Sequence, residues 1–303
     1  MTELAVNLAG LTLKNPVMTA SGTFGFGREY AEFYDLSLLG AVVVKGTTLE
    51  KKQGNPPPRI AESIGGMLNS VGLQNPGADE VIANELPFLQ QFATIKIVNI
   101  AGGTVEQYCA VAEKITASGL ADALEVNISC PNVKAGGLAF GTDPLAAAEV
   151  TRAVRAVTPL PIILKLSPNV TDIAPIAKAC EAEGADGISL INTIAGMVID
   201  LDNRRPFFAN KVAGMSGPAV KPVALRFVWQ AARAVKIPVI GLGGIMTGRD
   251  ALEFMLAGAT AVQIGSANFY DPASAPRIVR EMEQWLEEHR VKDVKELIGA
   301  LEE

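Results

Sequence analysis

The 303-residue chain contains one histidine, His289, in a polar C-terminal region. That leaves no means of building a histidine-based triad or a metal site of several imidazoles. Cysteine is almost as scarce: Cys109, Cys130 and Cys180 stand far apart. They match neither a disulfide framework nor a zinc-ligand spacing, and they suit a reducing cytoplasm. No apolar run is long enough to span a bilayer, so no membrane association is expected. Met1-Thr2-Glu3-Leu4 has neither the basic start nor the apolar stretch of a signal peptide. The net charge is −6, with no basic run to offset it, which argues against a nucleic-acid partner.

What is present is a repeated alternation. Hydrophobic residues make up 49% of the chain, with 29 glycines and 18 prolines. That is enough for one large α/β domain or two small ones. Val6, Leu8, Leu11 and Leu13 alternate around Gly10 and predict a hairpin, suited to plugging the bottom of a barrel. Eight short, mostly apolar strands follow, at 17–20, 41–44, 95–98, 125–129, 162–164, 187–191, 238–242 and 261–264. Helical patterns separate them. Thr104 with Gln107 forms a capping box before the apolar face of Val105, Tyr108, Val111 and Ile115. Asp143-Pro144 and Asp172 open two further helices, and Gly184 closes the second. Cys109 and Cys180 fall on or beside apolar helix faces, as packing residues do. Two long excursions interrupt the pattern, from Thr47 to Gly77 and from Asn192 to about Pro218.

Strand–helix alternation implies a parallel sheet with right-handed crossovers, and eight units is the count of a (β/α)8 TIM barrel. We therefore expect residues 1–303 to form one such barrel, with an N-terminal β-hairpin and long loop insertions over the C-terminal mouth. An open doubly wound sheet is the alternative, but it explains less. The strands end in Ser21, Lys45, Asn99, Asn127, Lys165, Asn192, Gly243 and Gly265, and barrel active sites lie at that end. Serine and asparagine there are also ordinary turn formers. Lys45 and Lys165 are less ordinary, because an unpaired ammonium after a buried strand is costly. A bound anion or an electron-rich ring would offset that cost. Gly243-Gly244 and Gly265-Ser266 stand where barrels bind phosphate, after strands seven and eight. Cys130 sits at the edge between a strand and a glycine-bearing loop that runs to Gly141, a placement typical of a reactive thiol.

The segment Asn127-Ile128-Ser129-Cys130-Pro131-Asn132-Val133 resembles the active-site loop of class 1 dihydroorotate dehydrogenases. The resemblance covers essentially the whole chain. It includes Ala20-Ser21-Gly22, Val44-Lys45-Gly46-Thr47-Thr48, Gly54-Asn55-Pro56, Gly72-Leu73-Gln74-Asn75-Pro76-Gly77 and Lys165-Leu166-Ser167-Pro168-Asn169. It implies an FMN-binding barrel that oxidises dihydroorotate to orotate in pyrimidine synthesis. Carried over residue by residue, it makes Cys130 the catalytic base. It gives Lys45, Asn69, Ser70, Val71, Gly72, Leu73, Asn127, Asn192 and Thr193 to the substrate. Ser21, Lys45, Gly46, Asn99, Asn127, Lys165, Ile191, Gly217, Gly243, Gly244, Gly265 and Ser266 become the FMN shell, with Lys165 placed to stabilise negative charge on the reduced flavin. No metal site is expected.

Val133 to Gly137, Phe140 to Pro144 and Ser167 to Val170 resemble the heteromeric, NAD-linked branch. In that branch this chain is the catalytic FMN subunit. A partner subunit carries FAD and a 2Fe–2S cluster, in a heterotetramer of two catalytic and two electron-transfer subunits. The three scattered cysteines offer no ligand set for such a cluster, and no complete dinucleotide fingerprint occurs. Two other readings stay open from the residues alone. One is a Schiff-base lyase using Lys45 or Lys165 as an amine nucleophile. The other is a non-catalytic barrel that holds a phosphorylated ligand.

Overall fold

The computed structural model describes residues 2–129 and 140–302. Among them, eight parallel strands close into a barrel. They are β1 (Val17–Thr19), β2 (Ala41–Val43), β3 (Ile95–Ile100), β4 (Ala123–Asn127), β5 (Ile162–Lys165), β6 (Gly187–Leu190), β7 (Val239–Leu242) and β8 (Ala259–Ile264). Each pairs with its neighbours in sequence, and β8 closes onto β1 through Val262 opposite Val17. This is the (β/α)8 topology that the alternation implies.

Barrel strands are covered on both faces, outward by helices and inward by one another. Hence β1, β2, β4, β5, β6 and β7 are buried at every residue. The N-terminal hairpin, Val6–Leu8 with Leu11–Leu13, leads directly into β1 and buries Val6, Leu8 and Leu13 in the main core. Each such side chain contributes about 1.5–3 kcal/mol of burial.

Helix starts follow local chemistry, with two adjustments. Thr104 Oγ1 accepts from Gln107 N (3.3 Å) at the head of helix Val105–Ser118, which ends at Gly119 with φ +65°. Gln107 Oε1 accepts from Gly103 N (2.8 Å), one residue before the cap, so the reciprocal half of the expected capping box is displaced. Asp143 Oδ1 accepts from Leu145 N (3.0 Å) before helix Pro144–Val157. Asp172 Oδ1 accepts from Ala174 N (3.0 Å), and the helix Ala174–Ala182 begins one residue later than a cap at Asp172 would place it. Cys180 is buried in the core, and Cys109 is half-buried on its helix.

The two excursions are not plain loops. Strands Ile60–Ser63 and Gly66–Asn69 come from the first, and Ile194–Met197 and Val212–Ser216 from the second. They form one four-stranded antiparallel sheet, with Asn69 opposite Gly214 and Ile194 opposite Met215. A small separate core of Leu68, Phe208 and Ala213 lies with it. Strand signals there were masked by glycine and proline, and by pairing between segments far apart in sequence.

Candidate active site

The strand ends and the four-stranded sheet enclose one cavity of about 730 Å³. From the barrel come Ser21, Lys45, Gly46, Asn99, Asn127, Lys165, Ile191, Gly243, Gly244, Gly265 and Ser266. From the sheet side come Asn69, Ser70, Val71, Gly72 and Leu73, together with Asn192, Thr193 and Gly217. Every residue expected from the sequence thus lines the same cavity, save Cys130, which lies outside the described residues. Ser129 and Gly141, the lining residues on either side of that segment, both face the cavity.

Lys165 is only 4% exposed. Its Nζ donates to Ser21 Oγ (3.1 Å) and stands 3.9 Å from Glu125 Oε1. An ammonium withdrawn from water needs such a counter-charge, and removing one partner of a buried pair typically costs about 3–5 kcal/mol. Lys45 enters the same cavity from the end of β2. Burial, then the positive charge of Lys165, holds its pKa below the usual lysine range. Among the described residues no carboxylate pairs with Lys45, so an anionic ligand would relieve it.

The asparagines are oriented by their own bonds. Asn127 Oδ1 accepts from Ser129 N (3.2 Å) and Asn192 Nδ2 (3.2 Å), and its backbone oxygen accepts from Tyr108 Oη (2.6 Å). Its amide nitrogen is left to serve the cavity. Asn192 Oδ1 in turn accepts from Thr193 N (2.8 Å). Asn69 Nδ2 donates to Gly214 O (3.3 Å) across the sheet. A Cβ on Gly214 would sit 2.1 Å from Thr193 Oγ1, so only glycine lets that hydroxyl lie over the strand. In the turn after β7 Gly244 has φ +77°, and a Cβ there would fall 2.9 Å from Gly217 O. That close approach joins the loop after β7 to the sheet over the mouth.

Sequence reasoning assigned no role to Glu125, Gln263, Asn55, Ser167 or Asn169. Asn55 Nδ2 donates to Ser70 O (3.0 Å) and so holds the 70–73 turn. Asn169 Nδ2 donates to Ser167 Oγ (3.2 Å) and Thr193 O (3.3 Å), which ties the loop after β5 to the one after β6. Glu125 and Gln263 are buried inside the barrel. Their signal was available: Glu125 shares a strand face with Asn127, and Gln263 with Gly265, by the period of two.

Amides, two lysines and glycine turns converging on the C-terminal mouth make this the catalytic end of a (β/α)8 barrel enzyme. The chain belongs to the dihydroorotate dehydrogenase family, whose model matches residues 3–286. It is 60% identical over 300 residues to the dihydroorotate dehydrogenase B (NAD(+)) catalytic subunit of Geobacter sulfurreducens, covering 99% of this chain and 98% of that one. It is equally 60% identical to the subunit of that name from Alkaliphilus metalliredigens, over 99% of both chains. The corresponding subunit of Citrifermentans bemidjiense is 59% identical over 300 residues.

Proposed function

We propose that residues 1–303 act as one FMN-binding unit, the catalytic subunit of an NAD-linked dihydroorotate dehydrogenase of the cytoplasm that makes orotate for pyrimidine synthesis. The observation that carries this reading is the single cavity where the expected cofactor and substrate residues meet. Its chemistry fits FMN. Asn99 Oδ1 and Gln263 Oε1 are buried there with no hydrogen-bond partner, ready for ligand N–H or O–H groups. The glycine turns after β7 and β8 leave room for a phosphate.

When bound, FMN supplies the hydride acceptor. Ser21, Gly46, Asn99, Lys165 and Ile191 hold its ring and ribityl chain, and Gly217, Gly243, Gly244, Gly265 and Ser266 its phosphate. Asn69 to Leu73, Asn127, Asn192 and Thr193 would bind the pyrimidine and its carboxylate, and Lys45 would serve both substrate and cofactor. Cys130 takes the proton from the substrate carbon at its Sγ. Among these residues no histidine is available for the task. The neighbour of Cys130 in sequence, Ser129, lines the cavity and is anchored through Oγ to Lys165 O (2.9 Å), which supports that role. Electrons leave to a partner subunit carrying FAD and a 2Fe–2S cluster, and so to NAD, in a heterotetramer of two chains of each kind.

The test is direct. The purified chain should be yellow, release FMN on denaturation and be bleached anaerobically by dihydroorotate. It should pass little to NAD until the partner is added. Bleaching by dihydrouracil instead would change the substrate. A colourless protein trapped by borohydride with a keto substrate would replace this reading with the lyase.

A further inference from the structure

Glu125 is fully buried within the barrel, on β4. Its Oε1 accepts from Asn99 Nδ2 (2.7 Å) on β3. Its Oε2 accepts from Ser189 Oγ (2.9 Å) on β6 and Gln263 Nε2 (2.6 Å) on β8. Lys165 on β5 faces Oε1 at 3.9 Å. One carboxylate therefore gathers three hydrogen-bond donors and one ion-pair partner from four other strands.

An ionised carboxylate accepts only, so both amides must turn their NH2 groups toward it. Their carbonyl oxygens then point away, and Asn99 Oδ1 and Gln263 Oε1 are two of the four buried side-chain oxygens without a partner among the described residues, the others being Tyr34 Oη and Gln230 Oε1. Asn99 and Gln263 both line the cavity. A Cβ on Gly46 would stand 2.9 Å from Asn99 Oδ1, so the glycine leaves that buried oxygen uncrowded. The same carboxylate sets how much of the Lys165 charge is felt in the cavity.

We propose that Glu125 is a positioning residue of the cofactor site: it aims two amide acceptors at FMN and tempers the ammonium that favours the reduced flavin. This rests on the FMN reading above. Neither the amide pattern nor the charge balance requires Glu125 to touch the cofactor. The seat it arranges is one ammonium donor beside two carbonyl acceptors, which suits a ligand that carries both N–H or O–H groups and developing negative charge.

The Glu125→Gln holoenzyme tests both parts. The amide places an NH2 where a donor already points, so Asn99, Gln263 or Ser189 must turn. FMN release on dilution, followed by its fluorescence, should reveal affinity lower by about tenfold, the worth of one lost hydrogen bond. Removing the negative charge beside Lys165 should raise the affinity ratio of reduced over oxidised FMN by about tenfold, read as a more positive potential by spectroelectrochemistry. Ser189→Ala, at a residue that does not line the cavity, withdraws a neutral donor and leaves the carboxylate less compensated. It should move the ratio the other way, by about threefold. If Glu125→Gln does not fold, Ser189→Ala and Gln263→Met carry the test through potential and FMN retention respectively.

A merely structural role would lower thermal stability with the potential unchanged, and that result would overturn the proposal. Wild-type protein that holds FMN and is bleached by dihydroorotate, alongside variants with unaltered affinity and potential, sinks this inference alone. Wild-type protein that holds no FMN sinks the functional reading with it.

Discussion

Strand β5 of the barrel is buried at all four residues, whereas strand Ile60–Ser63 of the sheet over the mouth has three exposed residues out of four. Both regions bound the same cavity, but they hold their groups differently. Barrel residues such as Lys165, Asn99 and Gln263 are fixed by side-chain bonds across a closed, buried interior. The sheet relies on backbone pairing, a three-residue core and single bonds such as Asn69 to Gly214. The buried side sustains the Lys165–Glu125 ion pair and so can influence charge on a cofactor. The exposed side offers amides and backbone groups, which suit a small, soluble, polar substrate. The contrast predicts that barrel variants change flavin energetics and sheet variants change substrate affinity.

The largest expected effect belongs to Cys130, the proposed base. Cys130→Ala should slow flavin reduction by about 10²–10⁴-fold, the usual weight of a general base, while FMN and orotate still bind. Stopped-flow reduction at near the wild-type rate would remove Cys130 from the mechanism. Next, Lys165→Ala on the barrel side should lower the affinity ratio of reduced over oxidised FMN by about 10–100-fold, with a more negative potential. An unchanged potential in FMN-loaded protein would break the comparison at its barrel end. On the sheet side, Asn69→Ala should weaken orotate binding about tenfold and leave the potential untouched. A shifted potential there would show that the two sides are not separable.

Lys45 sharpens the comparison through pH. Its folded-state pKa is depressed below the ordinary 10.5, so between the two values the unfolded chain binds more protons. Stability of the ligand-free protein should therefore rise with pH across that window. Orotate prefers the charged ammonium, so its affinity should fall across the same window, by less than about tenfold per pH unit. Calorimetric titration with orotate at several pH values checks the sign, and affinity rising with pH would exclude an ammonium contact. The smallest effect concerns the other thiols. Burial pushes the Cys180 thiol up to about 12, and burial with Glu113 and Glu106 raises that of Cys109. Cys109→Ser should keep flavin reduction within about twofold, as remote substitutions usually do, and iodoacetamide at neutral pH should label Cys130 first.

The barrel was legible because its signals are local. Apolar strands, caps such as Asp143 and helix-ending glycines recur within short windows, and the (β/α)8 order follows from their count. Strand-end residues were legible for the same reason: Lys45 and Lys165 are visible as charges at the ends of apolar runs. Their grouping as substrate and cofactor contacts came from resemblance to a family, not from spacing.

Other features had no local signature. The sheet over the mouth pairs Asn69 with Gly214, 145 residues away, through glycine-rich strands that read as loop. Asn127 reads as a turn former until Tyr108, Ser129 and Asn192 are seen to hold it. Glu125 shares a strand face with Asn127 by the period of two, but nothing local says what that face meets. In the structure that side is the barrel interior, where Asn99, Ser189 and Gln263 arrive from strands that sequence alone does not bring together. A period of two states which side chains share a face, but closure of the barrel decides what stands opposite them. The sequence by itself therefore determined the elements of the barrel, their order and the residues at the strand ends. Only the tertiary structure decided which of those polar groups are spent on one another and which remain for a ligand, because a hydrogen bond is settled by position in space and not by distance along the chain.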